Sequence, residues 1–152
     1  MNGLAKSRRL RSGRYSQRGQ IYLITAATHN RQPFFDEFSR GRLLAHQFRQ
    51  TQEDGWANAL CWVVMPDHFH WLIELGDCEL QALVLTVKSR TARSVNAVLG
   101  RTDQFWQRSF HDRAIRREED VQAVARYIVA NPIRAGLVKR VHDYPLWDAI
   151  WV

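Results

Sequence analysis

The sequence predicts an α+β fold, in which an antiparallel sheet is covered by helices. Four short segments rich in β-branched and aromatic residues indicate strands, and two longer segments carry apolar residues at helical spacing. The length agrees with this, because 152 residues suffice for one domain with a sizeable core and are few for two. A hydrophobic content of 45% is also usual for a single globular domain.

The predicted elements follow one another in the order β-α-β-β-α-β. The strands lie at 20–28, 58–64, 68–75 and 109–116, and the helices lie at 38–53 and 79–99. A turn joins the second and third strands, since Pro66 restricts the residue before it and Asp67 favours bends. A further helix opens at Glu118 and is bounded by Pro132. This order predicts a ferredoxin-like sheet with helices on one face and an added C-terminal helix, a fold that hosts many activities.

Positive charge is concentrated at the N-terminus. The net charge is +7, but the 132 residues after position 20 contribute only +1 of it. The first 20 residues contain no acid and six cations, which are Lys6, Arg8, Arg9, Arg11, Arg14 and Arg18. We assign 1–18 to a basic arm, which is either a solvated tail or a phosphate-binding segment, and 19–152 to one folded domain. A second basic set on the long helix, Lys88, Arg90 and Arg93, is open to the same two interpretations.

The sequence gives no sign of export or of a membrane span. No apolar run approaches the ~20 residues that a membrane helix needs, and the basic N-terminus lacks the apolar stretch of a secretory signal. Two cysteines, Cys61 and Cys78, do not make a disulfide framework, so we expect both to be reduced. These features predict a cytoplasmic protein.

Two histidines open the third predicted strand as His68-Phe69-His70. Because strand side chains alternate between faces, both imidazoles should lie on one face and Phe69 and Trp71 on the other. Imidazole is a common ligand of divalent metals, and a strand holds its side chains rigidly. The pair is therefore either a metal site or two ordinary histidines on a polar face, and Asp67 is either a turn residue or a partner that orients the pair.

The last predicted helix presents a tyrosine beside its apolar stripe. At about 100° per residue, Tyr127 and Asn131 fall on one shoulder of the helix, about 40° apart. The stripe itself consists of Val121, Val124, Ala125 and Ile128. Tyr127 is either an aromatic residue at the edge of the core or a covalent nucleophile, which a metal would assist by polarising the phosphate it attacks. Asn131 either ends the helix or serves as a ligand.

Three motifs together resemble those of a known family. Residues 65–72 (MPDHFHWL) are similar to the histidine-hydrophobic-histidine motif of single-strand DNA transposases. Residues 126–138 (RYIVANPIRAGLV) resemble the tyrosine helix of one branch, the REP-associated tyrosine transposases, and residues 105–113 (FWQRSFHDR) are also typical of that branch. The resemblance covers about 19–147.

The resemblance implies a mechanism and a substrate. His68 and His70 would bind Mg²⁺ or Mn²⁺, with Asn131 as a third ligand. Tyr127 would attack a DNA phosphate, form a 5′-phosphotyrosine link and free a 3′-hydroxyl group. The implied substrate is a single strand folded into a REP-type hairpin, bound by a nucleoid-associated monomer rather than a homodimer. The basic residues Arg8, Arg9, Arg11, Arg14, Arg18, Lys88, Arg90 and Arg93 would contact this DNA.

Three other functions fit parts of the sequence. The protein could be a catalytically silent relative that binds hairpin DNA. It could bind RNA on sheet aromatics, for which Tyr22, Trp62, Phe69 and Trp71 are available. It could also be a metal-dependent hydrolase of small molecules, although the basic arm argues against this function.

Overall fold

The computed structural model describes residues 17–116 and 118–151 and has the predicted fold class. The strands are β1 (Ile21–Ala27), β2 (Ala57–Met65), β3 (His68–Leu75), β4 (His111–Ile115) and β5 (Trp147–Ala149). The helices are α1 (Phe38–Glu53), α2 (Leu80–Leu99), α3 (Glu118–Val129) and the short α4 (Asn131–Arg134). Short 3-10 turns lie at His29–Arg31 and Val141–Asp143. The predicted bounds of α1 and β3 agree with the structure residue for residue.

The sheet has the strand order β4-β1-β3-β2-β5, and each neighbouring pair is antiparallel. The first four strands have the predicted ferredoxin-like arrangement. Because β3 is central, its first residues are paired on both sides, with His70 opposite Thr25 of β1 and Val63 of β2. Backbone hydrogen bonds from two strands thus hold the start of β3 rigidly.

Alternation along β3 divides the apolar side chains between two cores. Phe69 and Trp71 enter a core formed with α1 and α2, whereas Leu72 enters a second core formed with α3. His68 and His70 share the face of Leu72, since they are separated from it by even numbers of residues. The histidine pair and the tyrosine helix therefore lie on the same side of the sheet.

The helices on the first face end as the sequence indicates. Gly55 follows α1 with φ 79°, and Gly100 caps α2 with φ 66°, a conformation that glycine adopts without a steric cost. The apolar residues Phe38 and Val98 are exposed because they lie in the terminal turns of these helices. Within the described ranges, no helix is long and apolar enough to cross a membrane.

The C-terminal segment returns to the sheet as β5, a strand that the sequence did not predict. The Tyr144 hydroxyl group donates a hydrogen bond to the Val64 carbonyl oxygen at 2.5 Å, and the Val64 amide donates to the Leu146 carbonyl oxygen at 2.9 Å. Leu146 packs closely against Gly41 of α1, where any Cβ atom would collide with it. These long-range contacts create a strand from three residues that have no strand pattern of their own.

The FWQRSFHDR segment is largely structural. Phe105 stacks on Phe34 with ring centroids 4.3 Å apart, and the Phe105 carbonyl oxygen accepts a hydrogen bond from the His29 amide at 2.8 Å. The Trp106 indole donates to the Lys88 carbonyl oxygen at 2.8 Å. The segment thereby fastens the loop after β1 to α2, and this loop carries Arg31 into the candidate site.

Candidate functional site

The two imidazoles at the start of β3 lie against each other on one sheet face. The ring centroids of His68 and His70 are 5.0 Å apart, and the ring planes meet at 85°. Both side chains are half-buried, and the His68 side chain is 18% exposed. This placement agrees with the alternation that the sequence predicted.

Each imidazole is oriented by a hydrogen bond at Nδ1. Asp67 Oδ1 lies 2.7 Å from His68 Nδ1, and the Thr25 hydroxyl oxygen lies 2.9 Å from His70 Nδ1. With Nδ1 occupied, Nε2 of each ring is left for an external ligand. Burial, followed by the charges of His68 and Arg134, lowers the pKa of His70 to about 4, so this ring is neutral at neutral pH. Neutral imidazole is the form that binds a metal.

Arg31 supports Asp67 from the loop after β1. Its Nε donates to Asp67 Oδ2 at 2.8 Å, and its Nη2 lies 3.4 Å from His68 Nδ1. Burial would raise the pKa of Asp67, but the hydrogen bonds from Arg31 and His68 outweigh it and hold this pKa below its usual value. Asn30 and Arg31 both have positive φ, 56° and 54°, a conformation uncommon outside glycine. No local pattern in the sequence selects Arg31 or Thr25. Of the two roles considered for Asp67, the structure shows it orienting His68.

Helix α3 buries its apolar stripe and exposes its tyrosine. Val121, Ala125 and Ile128 are buried in the second core, whereas 62% of Tyr127 is exposed. Apolar burial orients the helix, and its 3.6-residue period then directs Tyr127 away from the core. Tyr127 is therefore accessible to a large substrate.

The other described tyrosines are engaged within the fold. Only 1% of Tyr22 is exposed, and its hydroxyl oxygen accepts a hydrogen bond from the Gln17 amide at 3.2 Å. Burial raises the pKa of Tyr144 to about 12, and its hydroxyl group is bound to the Val64 carbonyl oxygen. Tyr15 lies outside the described residues. Among the three tyrosines that the structure describes, Tyr127 is the one with an exposed phenol.

An arginine that the sequence analysis did not select lies over Tyr127. The Arg134 Cζ atom is 3.6 Å from the centroid of the Tyr127 ring, and Arg134 Nη2 donates to the Tyr127 carbonyl oxygen at 2.7 Å. The charge of Arg134 also acts on His70, as its effect on the His70 pKa indicates. Arg134 thus contacts both the ring and the backbone of Tyr127.

Asn131 lies beyond the end of α3. The sequence analysis placed Asn131 about 40° from Tyr127 on one continuous helix. This angle does not apply, because α3 ends at Val129 and Asn131 opens α4. Helix α4 contacts β2, the strand beside the histidine pair. The Asn131 amide nitrogen Nδ2 is buried and has no hydrogen-bond partner among the described residues. A half turn about χ2 would exchange this nitrogen for the amide oxygen, which is a metal ligand.

The nitrogen and amide groups at this site fit a divalent cation that takes only some of its ligands from the protein. A hydrogen bond occupies Nδ1 of each imidazole, which leaves Nε2 for a cation, and the buried Asn131 Nδ2 has no hydrogen-bond partner among the described residues. In the part of the chain that the structure describes, no three histidine, cysteine, aspartate or glutamate side chains converge to hold a metal. A cation at His68 and His70 would therefore take its other ligands from an amide, water or substrate, as Mg²⁺ often does.

Lys88 does not lie on a solvent-facing basic surface, so this part of the predicted DNA-binding set is corrected. It is 9% exposed, its Nζ donates to the Gln107 carbonyl oxygen at 2.9 Å, and burial lowers its pKa to about 8. The helix turns Lys88 toward the core together with Val84 and Val87. Arg90 is half-buried and Arg93 is exposed, so these two remain available.

Most of the predicted basic arm falls on residues that the structure does not describe. Arg8, Arg9, Arg11 and Arg14 lie outside the described residues. Arg18 is exposed and pairs with Asp77 at 3.0 Å. The division between arm and domain at residue 18 stays a prediction.

The sheet aromatics do not form an RNA-stacking surface. Tyr22, Phe69 and Trp71 are at most 1% exposed and belong to the first core. Trp62 is half-buried and packs on Phe48 with centroids 5.6 Å apart. Base stacking needs an open ring face, so the structure does not support RNA binding on these aromatic residues.

A groove of about 260 Å³ lies away from the histidine pair, at the edge of the sheet formed by β2 and β5. Its polar lining includes Arg42, His46, Arg49 and Asp148. We place the chemistry at the histidine pair and not in this groove, because the groove lacks an oriented imidazole pair and an exposed nucleophile.

Comparison with known proteins identifies the family of this chain. The family described as "Transposase IS200 like" matches residues 16–131, which is more than half of the chain. The REP-associated tyrosine transposase of Escherichia coli strain K12 is 27% identical over 134 residues, covering 87% of this chain and 78% of that protein. A second relative, from Haemophilus influenzae, is 25% identical over 144 residues, covering 84% of this chain and 78% of its own length.

One solved structure extends the comparison to three dimensions. A REP-associated tyrosine transposase bound to a REP hairpin matches with a TM-score of 0.75 and 27% identity, over 88% of this chain and 79% of that one. The range matched by the family, residues 16–131, includes the histidine pair, the tyrosine helix and Asn131. The chain therefore belongs to the IS200-like transposase family, and it resembles the REP-associated tyrosine transposases over most of its length.

Proposed function

We propose that this protein is a metal-dependent transposase that cuts and joins single-stranded DNA through a covalent bond to Tyr127. The observation that carries the proposal is the exposed phenol of Tyr127 on the sheet face that also holds the oriented pair His68 and His70. A buried stripe fixes the helix, and paired strands fix the imidazoles. The reacting groups are thus borne by rigid elements.

The proposed step is a transfer of the phosphoryl group to tyrosine. The Tyr127 phenol loses its proton to solvent, and its oxygen forms a bond to phosphorus. The bond from phosphorus to the 3′-oxygen breaks, and that oxygen takes up a proton to become a free 3′-hydroxyl group. The 5′-phosphate remains on Tyr127, and attack by another 3′-hydroxyl group reverses the step and joins the strands.

His68 and His70 would hold Mg²⁺ or Mn²⁺ through Nε2, with Asn131 as a third protein ligand. Such a cation, when bound, polarises the scissile phosphate and stabilises the charge that develops on it. Asp67 and Thr25 keep the two imidazoles oriented, and Arg31 keeps Asp67 ionised and in place.

Thr25→Val is expected to weaken metal binding without removing a ligand. The substitution retains shape but loses the hydroxyl oxygen 2.9 Å from His70 Nδ1, so the ring is no longer held in one orientation. Loss of such a partner typically weakens metal affinity about 10- to 100-fold. The affinity for Mn²⁺ would be measured by calorimetry, with Thr86→Val as the control on α2. An unchanged affinity would contradict the orienting role of Thr25.

The DNA that we propose as substrate is a single strand folded into a REP-type hairpin. The structurally similar transposase is bound to a REP hairpin, and this chain carries an excess of positive charge toward its N-terminus. A polyanion is attracted by such a charge distribution over a range of about 10 Å at moderate salt. We further propose that the protein acts as a nucleoid-associated monomer.

A covalent adduct tests the proposed reaction. Purified protein is incubated with end-labelled hairpin DNA and Mg²⁺, and the products are separated on a denaturing gel. With the label at the 3′ end of the DNA, we expect a labelled band at the mass of protein plus the 3′-terminal fragment, whose 5′-phosphate is joined to Tyr127. Digestion with protease should remove this band. A protein that binds the hairpin but yields neither cleavage nor adduct would instead be a catalytically silent binding protein.

Removal of residues 1–18 is expected to weaken DNA binding and flatten its salt dependence. Each phosphate contact on a single strand contributes about −0.7 to the slope of log K against log salt. If three to five of the six cations contact phosphates, the slope should shrink by roughly two to four. Affinity is measured at several salt concentrations for the full-length and truncated proteins. Equal slopes would identify the arm as a solvated tail.

Two substitutions on α2 provide a matched comparison for this measurement. Arg93→Gln removes an exposed cation and should reduce the slope by about 0.7 if Arg93 contacts a phosphate. Lys88→Met removes a buried cation that is bound to the Gln107 carbonyl oxygen, so the slope should not change. A reduced slope in Lys88→Met would contradict the structural role of Lys88.

A further inference from the structure

The Tyr127 side chain has few contacts that could fix its direction. It is 62% exposed, and its hydroxyl group makes no hydrogen bond within residues 17–116 and 118–151. An exposed side chain of this kind changes rotamer within picoseconds to nanoseconds. A nucleophile gains from the opposite behaviour, because attack requires the phenol oxygen to be held in line with the scissile bond.

Arg134 supplies the missing constraint. Its Cζ atom lies over the Tyr127 ring, 3.6 Å from the ring centroid, and its Nη2 donates a hydrogen bond to the Tyr127 carbonyl oxygen at 2.7 Å. Helix α4 makes this contact possible, because the turn at Ala130 carries Arg134 back over the last turn of α3. The guanidinium is fixed at the backbone of Tyr127 and packs on its ring at the same time.

We propose that Arg134 is a positioning residue for the reaction, which holds the Tyr127 ring in one orientation relative to the face of His68 and His70. The inference rests on the proposed function, in which Tyr127 is the nucleophile. It extends that function to a residue outside the nucleophile and the metal ligands. The helix that carries Tyr127 packs in the core on this same sheet face, so a fixed ring orientation is fixed relative to the pair.

The chemistry of the contact requires arginine. A guanidinium is planar and weakly hydrated, so it can stack on an aromatic ring while one nitrogen donates to a carbonyl group. A lysine ammonium is a compact, strongly hydrated charge and cannot do both from one position. Arg134→Lys therefore retains the charge and loses the stack, whereas Arg134→Gln loses both.

A second role of Arg134 must be separated from positioning. The Tyr127 carbonyl group belongs to the last turn of α3, where helix carbonyl groups lack partners and a cation is favourable. Loss of this interaction would lower stability without altering the reaction of folded molecules. The reaction rate per folded molecule and the mobility of the ring are therefore the quantities to measure.

The first measurement is single-turnover cleavage at saturating hairpin DNA. We expect Arg134→Lys and Arg134→Gln to slow cleavage on the order of 10²-fold, with DNA affinity little changed, since misplacement of a reacting group costs about this much. Arg126→Gln is the control, because it removes an exposed cation from the same helix end without a ring contact. Thermal unfolding identifies conditions in which all variants are fully folded.

The second measurement does not depend on activity. Protein labelled with 3-fluorotyrosine has four tyrosines, and Tyr127→Phe identifies the fluorine resonance of Tyr127. We expect both Arg134 variants to shift this resonance toward that of free fluorotyrosine, while the resonances of Tyr22 and Tyr144 stay in place. Arg126→Gln should leave all of them unchanged.

The outcomes distinguish the inference from the proposed function. Wild-type cleavage rates in the folded Arg134 variants, or an unchanged Tyr127 resonance, would overturn the positioning role. A defect confined to DNA affinity and restored by Arg134→Lys would also overturn it and make Arg134 a phosphate contact. If Tyr127→Phe still formed the adduct, the assignment of Tyr127 as the nucleophile would be wrong. This would hold even if the fluorine spectra showed that Arg134 orders the ring.

Discussion

Tyr127→Phe is expected to abolish the covalent adduct and to reduce strand cleavage by at least about 10⁴-fold, as loss of a nucleophile does in other enzymes. The substitution removes one hydroxyl group, which makes no hydrogen bond to the described residues. The ring and its stack on Arg134 remain. Because the position is exposed, stability should change by less than about 0.5 kcal/mol. DNA affinity should be retained.

Tyr144→Phe is the matched control for this experiment. It removes a hydroxyl group that donates to the Val64 carbonyl oxygen, so we expect a loss of stability of about 1 kcal/mol and no loss of cleavage. The two substitutions are thus expected to have opposite effects: Tyr127→Phe lowers activity and not stability, whereas Tyr144→Phe lowers stability and not activity. If Tyr127→Phe still formed the adduct and Tyr144→Phe did not, the nucleophile would be wrongly assigned.

His68→Ala and His70→Ala are each expected to remove metal-dependent cleavage. The cleavage rate should fall by about 10²- to 10³-fold or more, which is the range for loss of one group that stabilises charge in the transition state. Each variant loses one of the two Nε2 donors. Excess chelator should have the same effect on the wild-type protein, and added Mn²⁺ should reverse it. Binding of Mn²⁺, followed by calorimetry or by paramagnetic resonance, should weaken in both variants.

His46→Ala is the control for the histidine variants, because His46 is exposed on α1. It should retain both metal binding and cleavage. Full cleavage by the wild-type protein in excess chelator would remove the metal from the mechanism. Full cleavage by His68→Ala or His70→Ala alone, with metal still required, would place the cation elsewhere.

Several parts of the fold and site could be predicted because they depend on local periodicity. The alternation of β3 placed His68 and His70 on one face and Phe69 on the other, and the apolar stripe of α3 left Tyr127 outside the core. Each of these predictions needs only the repeat of a single element, which the sequence displays directly. The order of the elements then gave the ferredoxin-like arrangement.

The groups that orient the site depended on tertiary structure. Thr25 meets His70 across 45 positions in the chain, because β1 and β3 pair in one particular register. Arg31 reaches Asp67 from a loop held by Phe105, and Lys88 turns inward because Trp106 and Gln107 pack over α2. None of these contacts can be predicted from the spacing of apolar residues within one helix or strand.

The sequence by itself therefore determined the first four strands and the three long helices, the faces that β3 and α3 bury, and the residues that have the chemistry to react. Only the tertiary structure decided which side chains orient those residues, that Arg134 covers the Tyr127 ring, and that the segment at 147–149 becomes a strand. The physical reason is that a repeating pattern reports burial of one element, whereas register, loop path and packing depend on elements that are distant in the chain.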